Sequence, residues 1–179
     1  NALITKILEA MNIKVISKSG DEADYLIGTL SLKFADEDNH VYILSGDRDD
    51  LQLLSDNISQ IYPGQRGKTT IYTPEKVKED YGIEVSQIVD MKALMGDSSD
   101  NIPGVKGIGE KTAIKLLQEY PSLDEIYINL ESIKGSNQKK LDSGKEVAYL
   151  SYDLAKIDRD VEIDCDLDHI IKQNPNKEE

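Results

Sequence analysis

Apolar positions recur with one spacing before residue 73 and another after it. Leu3, Ile4, Ile7, Leu8 and Met11 are spaced for one face of a helix, and residues 13–17 (Ile-Lys-Val-Ile-Ser) read as a strand. A second helix is predicted from about 21 to 35, because Ala23, Leu26, Ile27, Leu30 and Phe34 form one stripe. Residues 40–45 (His-Val-Tyr-Ile-Leu-Ser) are a short β-branched and aromatic run, as in a buried parallel strand. Leu51, Leu53 and Leu54 suggest a short helix, and 58–62 and 69–72 two more strands around the turn signal of residues 63–68. Strands alternating with helices predict an α/β layer with a mostly parallel sheet.

At Thr73-Pro74 the pattern changes: threonine suits an N-cap and proline the first helical position. Helices are expected over 74–81, 86–95, 110–120, 123–130, 138–141 and 145–156, with a loop over 96–108. The expected organisation is an α/β domain over 1–72, a helical domain over 73–165 and a tail over 166–179, frayed in its polar end from residue 174. The chain opens inside an amphipathic pattern with no initiator Met and no preceding strand, and reads as a fragment whose upstream half is missing.

Composition narrows the class. Among 179 residues, 39% are hydrophobic and 31% charged, which fits a globular chain, and no apolar run is long enough for a membrane span. A single cysteine, Cys165, suits a reducing cytoplasm, and the opening Asn1-Ala2-Leu3-Ile4 does not read as the charged region or cleavage site of a secretory signal. The net charge of −13, from 34 acidic and 21 basic residues, argues against nucleic acid unless cations neutralise the carboxylates.

Three acidic clusters could recruit such cations. Asp21-Glu22-Ala23-Asp24 begins the second helix, Gly46-Asp47-Arg48-Asp49-Asp50 follows the 40–45 strand, and Gly96-Asp97-Ser98-Ser99-Asp100-Asn101 follows a helix. In open α/β sheets ligands gather beyond the carboxyl ends of strands, where the second cluster falls. Carboxylates suit the hard ions Mg²⁺ and Mn²⁺, and two such ions clamp the attacking and leaving oxygens of a phosphodiester. Any one cluster taken alone is more often an ordinary N-cap or turn former, and three flanking consecutive elements shift that balance.

Residues 104–113 (Gly-Val-Lys-Gly-Ile-Gly-Glu-Lys-Thr-Ala) carry the most specific signal. Gly104, Gly107 and Gly109 let the backbone approach a ligand, and the following helix presents free N–H groups to an anion. Lys106, Lys111 and Thr112 add contacts to phosphate. The spacing is that of a helix–hairpin–helix turn gripping duplex backbone, not of a P-loop; a glycine loop merely joining two packed helices is the competing reading.

Together, Glu22-Ala23-Asp24, Ser45–Asp49 and the long block 93–113 resemble the 5′–3′ exonuclease domain of bacterial DNA polymerase I and its stand-alone relatives, as does Glu146–Ala155. The resemblance implies a PIN-like parallel-sheet domain, here partial, followed by a helical domain with a helix–three-turn–helix (helix–hairpin–helix). It implies structure-selective hydrolysis of 5′-flap, nicked or primer-containing DNA in replication and repair, with a fused or separate DNA polymerase as partner, in the bacterial cytoplasm at the nucleoid. Two Mg²⁺ or Mn²⁺ ions are implied, Glu22 and Asp24 serving the first and Asp47, Asp49, Asp97 and Asp100 mainly the second. Gly104, Lys106, Gly107, Gly109, Lys111 and Thr112 would hold the duplex, with a potassium ion at the loop.

Tyr25 stands where the family has a further aspartate, and the family's N-terminal strand and basic arch belong upstream of Asn1. The chain on its own is therefore expected to be weak or inactive in cleavage. The alternative from another class is a non-catalytic duplex-DNA-binding module that keeps only the helical phosphate grip; a carboxylate-rich protein-interaction domain would require the glycine loop to be accidental.

Overall fold

The structure is a computed structural model and describes residues 2–64 and 67–171. Gln65 and Arg66 of the expected 63–68 turn, and the polar end from residue 174, lie outside the described residues. No helix among the described residues is long and apolar enough to cross a membrane. The chain divides into two units, residues 1–34 with 158–179, and residues 35–157.

The first unit contains α1 (Ala2–Ala10) and α2 (Ala23–Phe34). The α1 stripe predicted from sequence is present, yet Leu3, Ile4, Ile7 and Met11 are all exposed. Residues 13–17 do not form the expected strand. Val15 and Ile16 favour extended backbone, but a ladder needs a hydrogen-bonding neighbour. The contact here is instead from a side chain, with Lys18 Nζ donating to Glu162 O at 3.0 Å. α2 buries Leu26, Gly28 and Ser31 and holds the returning chain through two polar contacts. Thr29 Oγ1 accepts from Val161 N at 3.1 Å, and Lys33 Nζ donates to Cys165 O at 2.6 Å.

The second unit opens with a three-stranded sheet of β1 (Val41–Leu44), β2 (Ile58–Pro63) and β3 (Thr69–Tyr72), in that order. It is mixed, not mostly parallel: β1 pairs β2 parallel, and β2 pairs β3 antiparallel. Chain length explains the difference. The connection from β1 to β2 is long enough for a crossover and includes a 3₁₀ helix (Asp49–Leu53), whereas the short 63–68 turn permits only a hairpin. The expectation of a buried first strand holds for Ile43 alone. Register places Tyr42, Leu44 and Ile71 on one face, where they are 57%, 73% and 54% exposed. The other face carries Ile43, Ile58 and Gln60, all buried, then Tyr62 and Tyr72.

The helices follow: α3 (Pro74–Tyr81), α4 (Ile88–Met95), α5 (Glu110–Glu119), α6 (Leu123–Ile128), α7 (Ser136–Ser143) and α8 (Lys145–Ala155). Thr73 caps α3 as its sequence predicts, accepting from Lys76 N at 3.3 Å, with Pro74 in the first turn. Ser122 caps α6 in the same way. Central to the unit is α4, whose residues 88–94 are all buried, so it is enclosed on every side rather than amphipathic. Three buried polar side chains tie elements to one another. Gln52 donates to Ala155 O and accepts from Ile157 N, both at 3.0 Å, linking the 3₁₀ helix to the end of α8. Gln87 donates to Leu117 O at 2.7 Å, and Asp90 accepts from Leu123 N at 3.0 Å, linking α4 to the α5–α6 corner.

Candidate metal centre and nucleic-acid interface

The carboxylates of Asp49, Asp97 and Asp100 offer oxygens that all lie within 4.8 Å of one another. They come from two loops. One follows β1 and delivers Asp47, Arg48 and Asp49; the other follows α4 and delivers Asp97 and Asp100.

Gln60 shapes the first loop. Its amide donates to Ser45 O at 3.1 Å and to Asp47 O, so this buried side chain on the sheet holds the backbone that turns away from β1. Asp47 Oδ1 then accepts from Asp49 N at 2.9 Å, a local turn that aims the Asp49 side chain. Gln60→Ala is expected to lower stability by about 2 kcal/mol, since two carbonyls lose their donor; a urea-unfolding midpoint equal to wild type would show the loop to be held by other contacts.

The second loop is cinched. Asp97 N donates to Ile102 O at 2.9 Å and Ile102 N to Asp97 O at 2.8 Å. Gly96 and Gly104, both at positive φ, bring their backbones together beneath that bridge. A β-carbon on Gly104 would meet Gly96 N at 2.2 Å, and Gly104 N donates to the buried Ser151 Oγ at 3.0 Å. Within the loop, Asp97 Oδ1 accepts from Ser99 N at 2.9 Å and from the Ser99 hydroxyl.

Lys92 enters this cluster from α4. The residue is 5% exposed, and its ammonium pairs with Asp49, with Asp97 at 3.1 Å and with Asp100 at 3.5 Å. Burial works to lower the Lys92 pKa, but Asp49 and Asp97 outweigh it and hold the ammonium above its usual value. Hydrogen bonds from Ser99, reinforced by Lys92, bring Asp97 down to about 2. Asp49 moves the other way: burial raises it against the pull of Lys92, and the nearby Asp47 and Asp100 charges add to the rise. Three crowded carboxylates around one ammonium are chemically suited to a hard divalent cation, which prefers oxygen donors. Sequence reasoning missed Lys92; its one signal was a cation, one of two charged residues with Asp90, inside the largely apolar run Ile-Val-Asp-Met-Lys-Ala-Leu-Met. It missed Gln60 as well, and nothing in the strand's sequence marked it.

The remaining expected ligands stand elsewhere. Asp47 is exposed next to Asp49. Glu22 is exposed just before α2, and Asp24 and Tyr25 are half-buried in its first turn. These last three belong to the first unit, the Asp49 cluster to the second.

Arg48 has different company. It is exposed and forms no ion pair among the described residues, although aspartates flank it in sequence. The phenols of Tyr81 foremost, and also of Tyr62 and Tyr72, lie near enough to raise its pKa. Tyr62 and Tyr72 meet edge to face, with ring centroids 6.0 Å apart.

The glycine loop leads into α5 as expected. Gly109 is the N-cap, with extended backbone and no capping side chain, and its carbonyl accepts from Thr112 N and Ala113 N, both at 2.9 Å. The N–H groups of Glu110 and Lys111 are the free donors of that helix start. Lys106, Gly107, Gly109 and Lys111 are exposed and Thr112 half-buried, while Gly104 is buried under the cinched loop. The Gly107 carbonyl accepts from Lys140 Nζ at 3.0 Å, so an ammonium from α7 stands at the loop.

Comparison with known proteins adds to this geometry. The family described as "5'-3' exonuclease, N-terminal resolvase-like domain" matches residues 1–82, and "5'-3' exonuclease, C-terminal SAM fold" matches residues 83–178. DNA polymerase I of Caldicellulosiruptor bescii is 48% identical over 178 residues, 98% of this chain and 21% of that protein. A 5'-3' exonuclease of Buchnera aphidicola subsp. Schizaphis graminum is 45% identical over 172 residues, 92% of this chain and 59% of that protein. A bacteriophage T5 flap endonuclease, solved with DNA and metal ions, superposes with TM-score 0.66 at 26% identity, covering 80% of this chain and 52% of that one. The chain thus spans about a fifth of the polymerase relative and under two thirds of the exonuclease.

Proposed function

The chain belongs to the 5'-3' exonuclease family, and we propose from that premise that it is part of a divalent-metal-dependent 5′–3′ exonuclease and 5′-flap endonuclease acting on DNA. The observation that carries the reading is the convergence of Asp49, Asp97 and Asp100 from two loops, with an exposed, glycine-capped helix start in the same unit. In this reading residues 1–72 are the metal-binding α/β part and 73–165 the DNA-holding helical part. Flap, nicked and primer-containing duplexes are the substrate class, a fused or separate DNA polymerase the partner, and the bacterial cytoplasm the setting.

Asp49, Asp97, Asp100 and Asp47 would hold one Mg²⁺ or Mn²⁺, and Glu22 and Asp24 another. Ions bound there supply Lewis-acid stabilisation of charge on a phosphodiester. The chain's own residues do the rest. The Ser99 hydroxyl and N–H keep Asp97 ionised and oriented, Gln60 sets the path of the loop bearing Asp47 and Asp49, and Lys92 balances the carboxylate charge. The N–H groups at the start of α5, with Lys106, Lys111 and Thr112, hold duplex phosphates without reading sequence. A potassium ion fits less well, because Lys140 already takes the Gly107 carbonyl.

The test is a 5′-labelled flap duplex with excess chain in Mg²⁺ or Mn²⁺. Slow cleavage near the 5′ end is expected, abolished by EDTA and reduced at least about 100-fold by Asp97→Ala. Tyr25 favours a second reading, a module that binds duplex without cutting. No cleavage, with duplex binding that survives EDTA and falls in Lys111→Ala, would select that reading.

A further inference from the structure

We propose that Arg48 binds a backbone phosphate of the DNA strand being cut, held beside the carboxylate cluster by an aromatic wall of Tyr62, Tyr72 and Tyr81. This rests on the reading that the chain acts on DNA.

The position follows from the sheet. Parallel register from β1 to β2 and antiparallel register from β2 to β3 put Gln60, Tyr62 and Tyr72 on one face. Gln60 on that face grips Asp47 O, so the loop residue that follows, Arg48, emerges at the same end of the sheet. Tyr62 is the next residue on that face, its ring braced edge-on by Tyr72, and Tyr81 closes the group from the end of α3.

Charge supplies the second argument. An arginine between Asp47 and Asp49 would ordinarily fold back onto one of them. Here the Asp49 carboxylate is engaged by the Lys92 ammonium and Asp47 accepts from the Asp49 N–H. Arg48 is exposed beside the phenols, shares a hydrogen bond with Tyr62 and pairs with no carboxylate among the described residues. Its five donors form a planar fork that matches two phosphate oxygens, and aromatic neighbours restrict the side chain at little desolvation cost. Asp49 is the adjacent residue, so the backbone bearing Arg48 leads directly into the cluster. That placement also answers an electrostatic difficulty. A strand approaching three carboxylates on a chain of net charge −13 is repelled, and a fixed cation at the edge of the cluster offsets that repulsion locally.

The experiment measures binding of the chain to a 5′-flap duplex in EDTA across a salt series. Arg48→Ala is expected to weaken binding about ten-fold and to reduce the slope of log Kd against log salt by roughly one. Arg48→Lys should recover the slope, because the charge returns, but only part of the affinity, because the fork does not. An unchanged Kd and slope in Arg48→Ala, with wild-type binding intact, would overturn this inference alone. Equal losses in the alanine and lysine variants, tracking a lowered melting temperature, would overturn it too, in favour of a purely structural arginine. If the wild-type chain fails to bind the duplex at any salt, both this inference and the DNA reading beneath it fall.

Discussion

Gly104→Ala is expected to cost the chain on the order of 4 kcal/mol, enough to unfold much of the population of a marginally stable domain. The added methyl has nowhere to go. Its neighbours would be the backbone N and Cα of Gly96 at 2.2 and 2.6 Å and the Met95 carbonyl carbon at 2.6 Å, none of them the movable end of a side chain. Positive φ at both glycines adds strain for any L residue. Relief would require opening the Asp97–Ile102 bridge, which positions Asp97 and Asp100. The variant should therefore lose metal-linked stabilisation along with fold. Urea unfolding followed by circular dichroism measures the cost, and a loss under about 1 kcal/mol would mean that Gly96 and Gly104 do not approach as described. Gly109→Ala is the matched control, since a β-carbon there meets nothing within 4 Å and the backbone is extended.

Lys92→Met should also destabilise strongly, but conditionally. In EDTA the loss is expected to be about 3 kcal/mol, the cost of leaving buried charges without their partner. Methionine fills a similar volume, so packing contributes little. Asp49, Asp97 and Asp100 would then face one another unscreened. Added Mg²⁺ should restore more stability to Lys92→Met than it gives wild type, because binding to the folded state alone adds RT ln(1 + [L]/Kd), and wild type must first move an ammonium aside. Melting temperatures of both proteins with EDTA and with millimolar Mg²⁺ decide the matter. Equal metal-induced shifts would place the cation elsewhere.

Much of the local structure was legible in advance. α2 and α3, the β2 and β3 strands, the Thr73–Pro74 helix start and the loop before α5 follow from periodicity, capping chemistry and glycine placement, which act within a few residues. The acids that meet at the cluster were marked by their positions at the ends of elements. What periodicity could not supply was partnership. Val15 and Ile16 read as strand residues but find no ladder among the described residues, and Leu44 reads as core yet lies 73% exposed. Sheet direction also escaped, because turn length rather than hydrophobicity makes β3 antiparallel.

Which residue types stand at the ends of strands and helices can be read from the chain alone, as can the glycine-rich turn before a helix bearing lysines. Those are consequences of short-range physics: caps, turns and side-chain periodicity. Which of them meet is a matter of long-range folding. Asp49 lies 43 residues before its partner Lys92, and Gln60 lies 13 residues beyond the Asp47 carbonyl it holds. Folding also separated three glycines that look alike in sequence. Gly104 is buried where two backbones touch, Gly107 turns at positive φ against Lys140, and Gly109 stands open at a helix start. Such distinctions depend on what packs beside a residue. Long-range packing is set by the whole chain at once, because a buried ammonium or amide is tolerated only where several distant groups satisfy it together.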